Sequence, residues 1–161
     1  MHNHMKNNTK TTLINFGIAL LSVAIVGLVG RFLTDTNSTW YVSLNKPSEF
    51  VPSIVFSVMW SVIYLCFAIV IFLLLQRKQM DTLTVVLLIL TGIFQWVWSL
   101  VFFRLYSLLL GLVALVILGT LAVALFIRLS KKSNLYLYIL TIYPMWLTVA
   151  SFINLALWAI N

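Results

Sequence analysis

Large aromatic side chains recur at intervals of three and four residues in several apolar segments of this sequence. The last segment carries Tyr143, Trp146, Ala150, Asn154 and Trp158 at such intervals, so these residues share one face of a helix. Two earlier segments repeat the pattern, with Phe56, Trp60, Tyr64 and Phe67 in one and Gln95, Trp98 and Phe102 in the other. Aromatic walls with a few polar groups suit a flat, mostly apolar ligand, held by stacking and oriented by one or two hydrogen bonds.

Two structural alternatives to a ligand pocket remain open at this point. Rings near the ends of membrane spans form interfacial belts, but Trp60 and Trp146 fall near the centres of their apolar runs. The stripes are also what helix-on-helix packing or a homodimer seam would use, and an amide such as Gln95 or Asn154 is commonly a bond between helices. The stripes predict residues that share a helix face, but do not show whether that face contacts a ligand, another helix or another subunit.

The chain has few residues that could carry out acid–base or metal chemistry. The acids are Asp35, Glu49 and Asp81, each in or beside a loop, and both histidines, His2 and His4, lie at the N-terminus. A proton-coupled transporter needs an ionisable group within the membrane, and a hydrolase or metal centre needs clustered ligands. We therefore predict no catalytic residue, no metal and no required cofactor, and expect that the protein is not an enzyme.

The elements that position the aromatic residues are long apolar helices. The chain has 161 residues, of which 63% are hydrophobic and 8% charged, a composition outside that of soluble domains. Spanning the membrane takes about 20 apolar residues as helix, so we predict an all-α integral membrane bundle of five transmembrane helices. The predicted spans are 11–30, 52–76, 82–103, 105–127 and 135–160, within one domain that covers residues 11–161.

The segments outside the spans are short, with one exception. Residues 1–10 are predicted to form a polar tail without fixed structure. The loop 31–51 is long and aromatic, which is typical of a lid or binding element. Pro144 is expected to kink the fifth helix where neighbouring helices cover the freed carbonyl.

Basic residues indicate the orientation of the chain in the membrane. The formal charge is +7, but the basic residues lie between apolar runs, which favours lipid headgroups over nucleic acid as their partner. Seven Lys and Arg residues fall on the side of the N-terminus and three on the side of the long loop. The positive-inside rule predicts a multi-pass protein of the cell membrane with a cytoplasmic N-terminus.

Three motifs together resemble the TspO/MBR family of tryptophan-rich sensory and translocator proteins. The loop and the start of the second helix carry the first motif, the third helix the second and the fifth helix the third. The residues are Trp40, Tyr41, Leu44, Lys46, Pro47 and Pro52; Gln95, Trp98, Ser99, Phe102 and Phe103; and Tyr143, Trp146, Ala150, Asn154 and Asn161. The match extends over roughly three quarters of the chain.

The resemblance implies a five-helix bundle, commonly a homodimer, whose pocket opens toward the first loop. Family ligands include porphyrins such as protoporphyrin IX, sterols and benzodiazepine-like compounds. By position, Tyr41 and Pro47 would belong to the lid. The walls would be formed by Gln95, Trp98 and Ser99 of the third helix and by Trp146 and Ala150 of the fifth.

The predicted ligand-binding set joins these residues to the aromatic stripes. It comprises Tyr41, Pro47, Trp60, Gln95, Trp98, Ser99, Phe102, Tyr143, Trp146 and Ala150. The expected function is a membrane receptor or sensor for a flat apolar ligand such as a porphyrin. Transport of such molecules and weak light-dependent porphyrin breakdown are the alternatives.

Three positions depart from the family pattern. Glu49 stands where many members have a tryptophan that is implicated in porphyrin breakdown, which argues against that activity here. Gln95 replaces the usual Asn, and Pro144 lies two residues before Trp146, where members commonly place Pro four before. These changes predict a reshaped pocket.

Overall fold

The structure is a computed structural model that describes residues 2–47 and 51–161, with side chains described from Thr9 onward except that of Ser53. In these ranges the chain forms helices and turns. The helices are α1 (His2–Leu33), α2 (Thr39–Ser43), α3 (Ser53–Gln76), α4 (Thr82–Phe103), α5 (Leu108–Ser130), α6 (Asn134–Leu140) and α7 (Ile142–Ile160).

The prediction of an all-α bundle with five membrane-spanning segments is confirmed. The segments long and apolar enough to cross a bilayer are Thr9–Leu33, Ile54–Gln76, Thr82–Phe103, Leu108–Ser130 and Asn134–Ile160. Their outer faces expose large apolar side chains, among them Leu28 at 71% and Leu65 at 59%. In water such a surface would be unfavourable, whereas in a bilayer it is the face that contacts lipid.

Local sequence explains where several helices begin. Asp81 caps α4 by accepting a hydrogen bond from the backbone N–H of Thr84 at 3.0 Å, and Ser107 caps α5 by accepting from the N–H of Leu110 at 3.3 Å. The predicted span 105–127 therefore begins three residues later, at Leu108. Tyr106, with a φ of 53°, belongs to the turn before the cap.

The expectation for residues 1–10 needs correction. The backbone of α1 is helical from His2 onward, so residues 2–10 continue the first helix. No glycine or proline occurs before Gly17, and nothing in the local sequence stops the helix from continuing beyond the apolar run.

The last span is interrupted just before Pro144, the residue at which a kink is predicted. The last span is divided into α6 and α7 at Thr141, three residues before the proline. Proline cannot donate the hydrogen bond to the carbonyl of Leu140, four residues earlier, and its ring crowds that carbonyl. Leu140 is fully buried, so the break is covered by neighbouring helices.

The helices pack unevenly, and a gap remains between α3 and α4. α5 packs against α4 and α7, and α1 packs against α3 and α4, whereas the backbones of α3 and α4 do not approach closely among the described residues. Toward the α3–α4 and α5–α6 loops, which we call the basic side, the interior is filled by fully buried side chains such as Leu74, Leu125 and Tyr136. Toward the opposite end, the lid side, α3 has no buried described residue before Ile63.

Asp81 joins the two loops of the basic side. Its carboxylate accepts from Lys132 and pairs with Arg128 at 2.8 Å. The Lys132 ammonium, and next the Thr84 backbone N–H, hold the pKa of the Asp81 carboxyl well below its ordinary value. This cluster fixes the end of the bundle opposite the lid.

Candidate ligand-binding site

A cavity of about 570 Å³ lies on the lid side of the bundle, between α1, α3, α4 and α7. We call it the upper cavity. Its volume is within the range of small-molecule sites. Its lining consists of Gly27, Gly30, Arg31, Thr34, Thr36, Tyr41, Phe56, Ser57, Trp60, Ser61, Tyr64, Gln95, Trp98, Ser99, Phe102, Phe103, Ala150, Ile153, Asn154 and Leu157.

Aromatic rings form a continuous wall from the floor of the upper cavity toward the loop. Tyr64 stacks on Trp60 at a centroid distance of 5.9 Å and an interplanar angle of 28°. Trp60 lies 6.4 Å from Trp98, which lies 5.8 Å from Phe102. The rings come from α3 and α4, whose backbones do not approach closely, so the wall lies in the space between these two helices.

Two buried polar groups of the lining lack a partner in the described structure. The indole Nε1 of Trp98 is a donor and the amide Oδ1 of Asn154 is an acceptor. The Nδ2 of Asn154 donates to the carbonyl of Leu108 at 2.7 Å, which fixes the amide. Buried polar groups are usually paired, so an unpaired donor and acceptor on residues that line the cavity indicate where a ligand would bond.

Gly111 of α5 makes room for this amide. A Cβ at residue 111 would lie 2.8 Å from Asn154 Oδ1 and 3.1 Å from Phe102 Cδ2. A side chain there would displace one or both. The lining of α7 therefore depends on a glycine that is not itself part of the cavity.

Among the described residues, the charge that lines the upper cavity is positive. Arg31 lines it, is exposed, and makes a 3.3 Å hydrogen bond from Nη1 to the carbonyl of Thr34. The described carboxylate on this side, Asp35, lies 3.7 Å from Arg104 and does not line the cavity. The arrangement favours a ligand with an acidic edge.

The described part of the loop, residues 34–47, covers the upper cavity and is held at both ends. Arg104 donates to the carbonyls of Phe32 and Leu33 at 2.7 and 3.2 Å. At the other end the backbone N–H of Asn45 donates to Asn161 Oδ1 at 2.9 Å, and Asn161 Nδ2 donates to the Asn45 carbonyl at 3.1 Å. The loop is thus fastened to α4 and to the end of α7.

Aromatic contacts hold the centre of this loop. The Trp40 ring lies 5.8 Å from Phe102, and the Tyr41 ring lies 5.5 Å from Phe103. Burial raises the pKa of the Tyr41 hydroxyl. Lys46 Nζ donates to the Tyr41 carbonyl at 2.8 Å and lies 4.8 Å from the Tyr41 ring centroid, which brings a second cation to the loop.

Seven of the ten predicted ligand-binding residues line the upper cavity: Tyr41, Trp60, Gln95, Trp98, Ser99, Phe102 and Ala150. Pro47 lies in the loop outside the lining. Trp146 is buried and contacts Phe56 at a centroid distance of 5.2 Å, but does not line the cavity. Tyr143 lines a second cavity, which is described below. Glu49 lies outside the described residues.

Residues of α1 were missed as site residues. Gly27, Gly30, Arg31 and Thr34 all line the cavity and recur at intervals of three and four, the same signal that revealed the aromatic stripes. A Cβ at Gly27 would lie 3.2 Å from the Tyr64 ring. The absence of a side chain at Gly27 thus leaves room for the Tyr64 ring inside the bundle.

Comparison with known proteins agrees with this architecture. The model of the TspO/MBR family matches residues 18–159. The chain is 27% identical over 145 residues to the tryptophan-rich protein TspO of Archaeoglobus fulgidus, covering 89% of this chain and 94% of that protein. It is 27% identical over 154 residues to protein CrtK of Rhodobacter capsulatus, covering 91% and 92%. With a family match over nearly all the membrane-spanning part, the chain belongs to the TspO/MBR family.

Proposed function

We propose that this protein is a membrane receptor that binds a flat, mostly apolar ligand with an acidic edge, such as protoporphyrin IX, in the upper cavity. Membership of the family supports a role in sensing, reception or transport at the membrane. The proposed ligand class rests on the unpaired donor Trp98 Nε1 and the unpaired acceptor Asn154 Oδ1 of a cavity with aromatic walls.

The shape and charge of the cavity support a ligand with two unlike parts. A flat ring system would stack against the wall that Trp60 and Trp98 form, where dispersion and ring quadrupoles favour aromatic partners. Carboxylates at its edge would reach Arg31 near the loop, where solvent keeps them charged. A porphyrin with propionate groups has both parts.

Binding is favoured over passage through the bundle. The lid side is covered by a loop that is tied to Asn161 and Arg104, and the basic side is filled by buried side chains such as Leu74 and Leu125. Light-dependent porphyrin breakdown gains no support, because Trp146 does not line the cavity.

The test is a titration of the detergent-solubilised protein with protoporphyrin IX, followed by quenching of tryptophan fluorescence. We expect saturable quenching, and an affinity reduced about two- to tenfold in Trp98→Phe, the cost of one hydrogen bond. Trp158→Phe is the matched control, since Trp158 lies on the outer face with 47% exposure. Equal affinity in both variants, or no saturation, would contradict the proposal, and flux into proteoliposomes would favour transport.

Orientation and assembly are proposed on separate grounds. The count of basic residues supports a cytoplasmic N-terminus. The homodimer rests on the family resemblance.

A further inference from the structure

A second cavity, which we call the groove, lies between α1, α3 and α4 on the basic side of the upper cavity. Its volume is about 550 Å³. At 1.5 Å per residue it extends about 22 Å along α3, from Trp60 to Leu75, and about 16 Å along α4, from Val85 to Trp96. Along α4 the groove is therefore about as long as one leaflet of the hydrocarbon core is thick, about 15 Å, and along α3 it is longer.

A helix crossing separates the groove from the upper cavity. On α1 the division falls between Val26, which lines the groove, and Gly27, which lines the upper cavity. Trp96 Nε1 donates to the Val26 carbonyl at 3.0 Å, and a Cβ at Gly92 would lie 3.1 Å from Val26 Cγ2. α1 and α4 thus meet closely here and divide the two cavities on this side, whereas Trp60, Tyr64 and Gln95 line both.

The groove opens sideways and carries no charge. Its rim includes Ile89 and Ile93, which are 55% and 40% exposed on the outer surface of α4, so a ligand would enter from the bilayer. Among the residues that the structure describes, no Lys, Arg, Asp or Glu lines it. A buried charge without a partner is strongly unfavourable, so the ligand must be neutral.

The Tyr143 hydroxyl differs from the aliphatic hydroxyls of the groove. The hydroxyls of Ser22 and Thr91 donate to backbone carbonyls of their own helices at 2.8 Å. The Tyr143 hydroxyl has no partner in the described structure, and Tyr143 is only 2% exposed. Its ring contacts Phe67 at a centroid distance of 5.0 Å. A buried donor of this kind calls for an acceptor that a ligand brings.

The two halves of the groove have different chemistry. The half nearer the upper cavity holds aromatic and amide groups, namely Trp60, Tyr64, Phe67 and Gln95. The half nearer the basic side is aliphatic, with Ile71, Leu75, Val85 and Leu88. A ligand that fits both has a flat, hydrogen-bond-accepting head and a hydrocarbon tail.

We propose that the groove binds a neutral lipid of the quinone class. A ring carbonyl accepts the hydrogen bond of Tyr143, the ring lies beside Trp60 and Phe67, and the tail follows the aliphatic half toward the basic side. A phospholipid fits less well, because its polar head stays at the interface and its tail offers no acceptor to Tyr143.

The test uses fluorine NMR of protein labelled with fluorotryptophan in detergent micelles, because two neighbouring tryptophans report on different sites. Trp96 lines only the groove and Trp98 lines only the upper cavity. We expect a menaquinone analogue with a short isoprenoid tail to shift the Trp96 signal saturably. Tyr143→Phe, which removes only the hydroxyl, should weaken this binding about two- to tenfold.

A matched pair of variants tests the placement of the tail. Val85→Phe fills the aliphatic half and should weaken binding of the analogue, whereas Val86→Phe adds the same ring outside the groove and should not. Val85 and Val86 are similarly exposed, at 37% and 43%.

The inference is overturned if the Trp96 signal does not saturate, if Tyr143→Phe binds with unchanged affinity, or if an isoprenoid hydrocarbon without carbonyls competes equally well. Protoporphyrin IX added to the same samples should shift Trp98. That response tests the proposed function independently of the groove.

Discussion

Gly111→Ala adds one carbon atom where α5 meets α7. Although Gly111 does not line the upper cavity, the added atom should displace side chains that do. The new Cβ would lie 2.8 Å from Asn154 Oδ1, closer than carbon and oxygen tolerate. The amide cannot move aside freely, because its Nδ2 donates to the Leu108 carbonyl at 2.7 Å. The Phe102 ring, at 3.1 Å from the same Cβ, blocks a second route of relief.

The expected magnitude follows from two opposing terms. Overpacking in a tight interior costs about 1–3 kcal/mol, while replacing glycine by alanine within a helix gains up to about 1 kcal/mol. Gly119 lies on the same helix, and a Cβ there would meet nothing within 4 Å. Gly119→Ala should therefore show the gain alone, so the two variants should differ in the free energy of unfolding by about 1–3 kcal/mol.

The assay combines thermal unfolding in detergent with the protoporphyrin IX titration. Gly111→Ala should unfold at a lower temperature than Gly119→Ala. Its ligand affinity should fall about two- to tenfold as Asn154 Oδ1 loses its position. If the two variants unfold and bind alike, the geometry around Asn154 is not what holds the ligand, and the assignment of this acceptor fails.

Three further perturbations have distinct readouts. Arg31→Gln should weaken binding of protoporphyrin IX about two- to fivefold, because Arg31 is exposed and its ion pair is screened, but should leave binding of the uncharged dimethyl ester unchanged; an equal loss for both compounds would exclude a carboxylate contact. Tyr143→Phe should stabilise the ligand-free protein by about 1 kcal/mol or more, since it removes a buried hydroxyl without a partner, and a lower melting temperature would argue that the hydroxyl is already bonded. The pKa of Asp81 is lowered in the folded protein. Its contribution to stability is therefore present above the unfolded pKa of about 3.9 and is lost as the pH falls through the lowered native pKa. The melting temperatures of Asp81→Asn and the wild type should differ at neutral pH and converge in strong acid.

Much of the fold could be predicted from the sequence, because lipid leaves few options for the backbone. Uncharged runs of about 20 residues must be helices, and charged residues such as Arg77 and Arg128 mark where they end. The exact starts depended on local caps. Ser107 and the turn at Tyr106 place the fourth span three residues later than hydropathy alone predicts.

The sequence predicted which helix faces line the candidate site, but not at what position along each helix the cavity lies. A stripe of spacing three and four identifies residues that share a helix face, and Trp60, Trp98 and Ala150 do line the upper cavity. The same stripes continue into the basic half of the bundle, where Phe67 and Tyr143 line the groove instead. Periodicity carries no information about where along a helix the space between helices opens.

The role of Arg31 was missed for a different reason. Its charge was used to orient the chain in the membrane, and a cation at the end of a span is what that rule expects. Only the packing of α1 against α3 and α4 reveals that its face with Gly27 and Thr34 borders the upper cavity.

The unpaired buried groups connect stability to binding. Within the described residues, five buried side-chain atoms lack a partner, and four belong to Trp98, Tyr143, Trp146 and Asn154 on α4 and α7. In a bilayer no water competes to satisfy them, so each is costly to the ligand-free fold. Three of the four residues line a cavity. A ligand that bonds to them removes that cost only in the folded state, and at a hundredfold excess over its Kd it stabilises the fold by about 2.7 kcal/mol. Protection against thermal unfolding should therefore depend on Trp98 and Asn154 for a ligand of the upper cavity and on Tyr143 for a ligand of the groove.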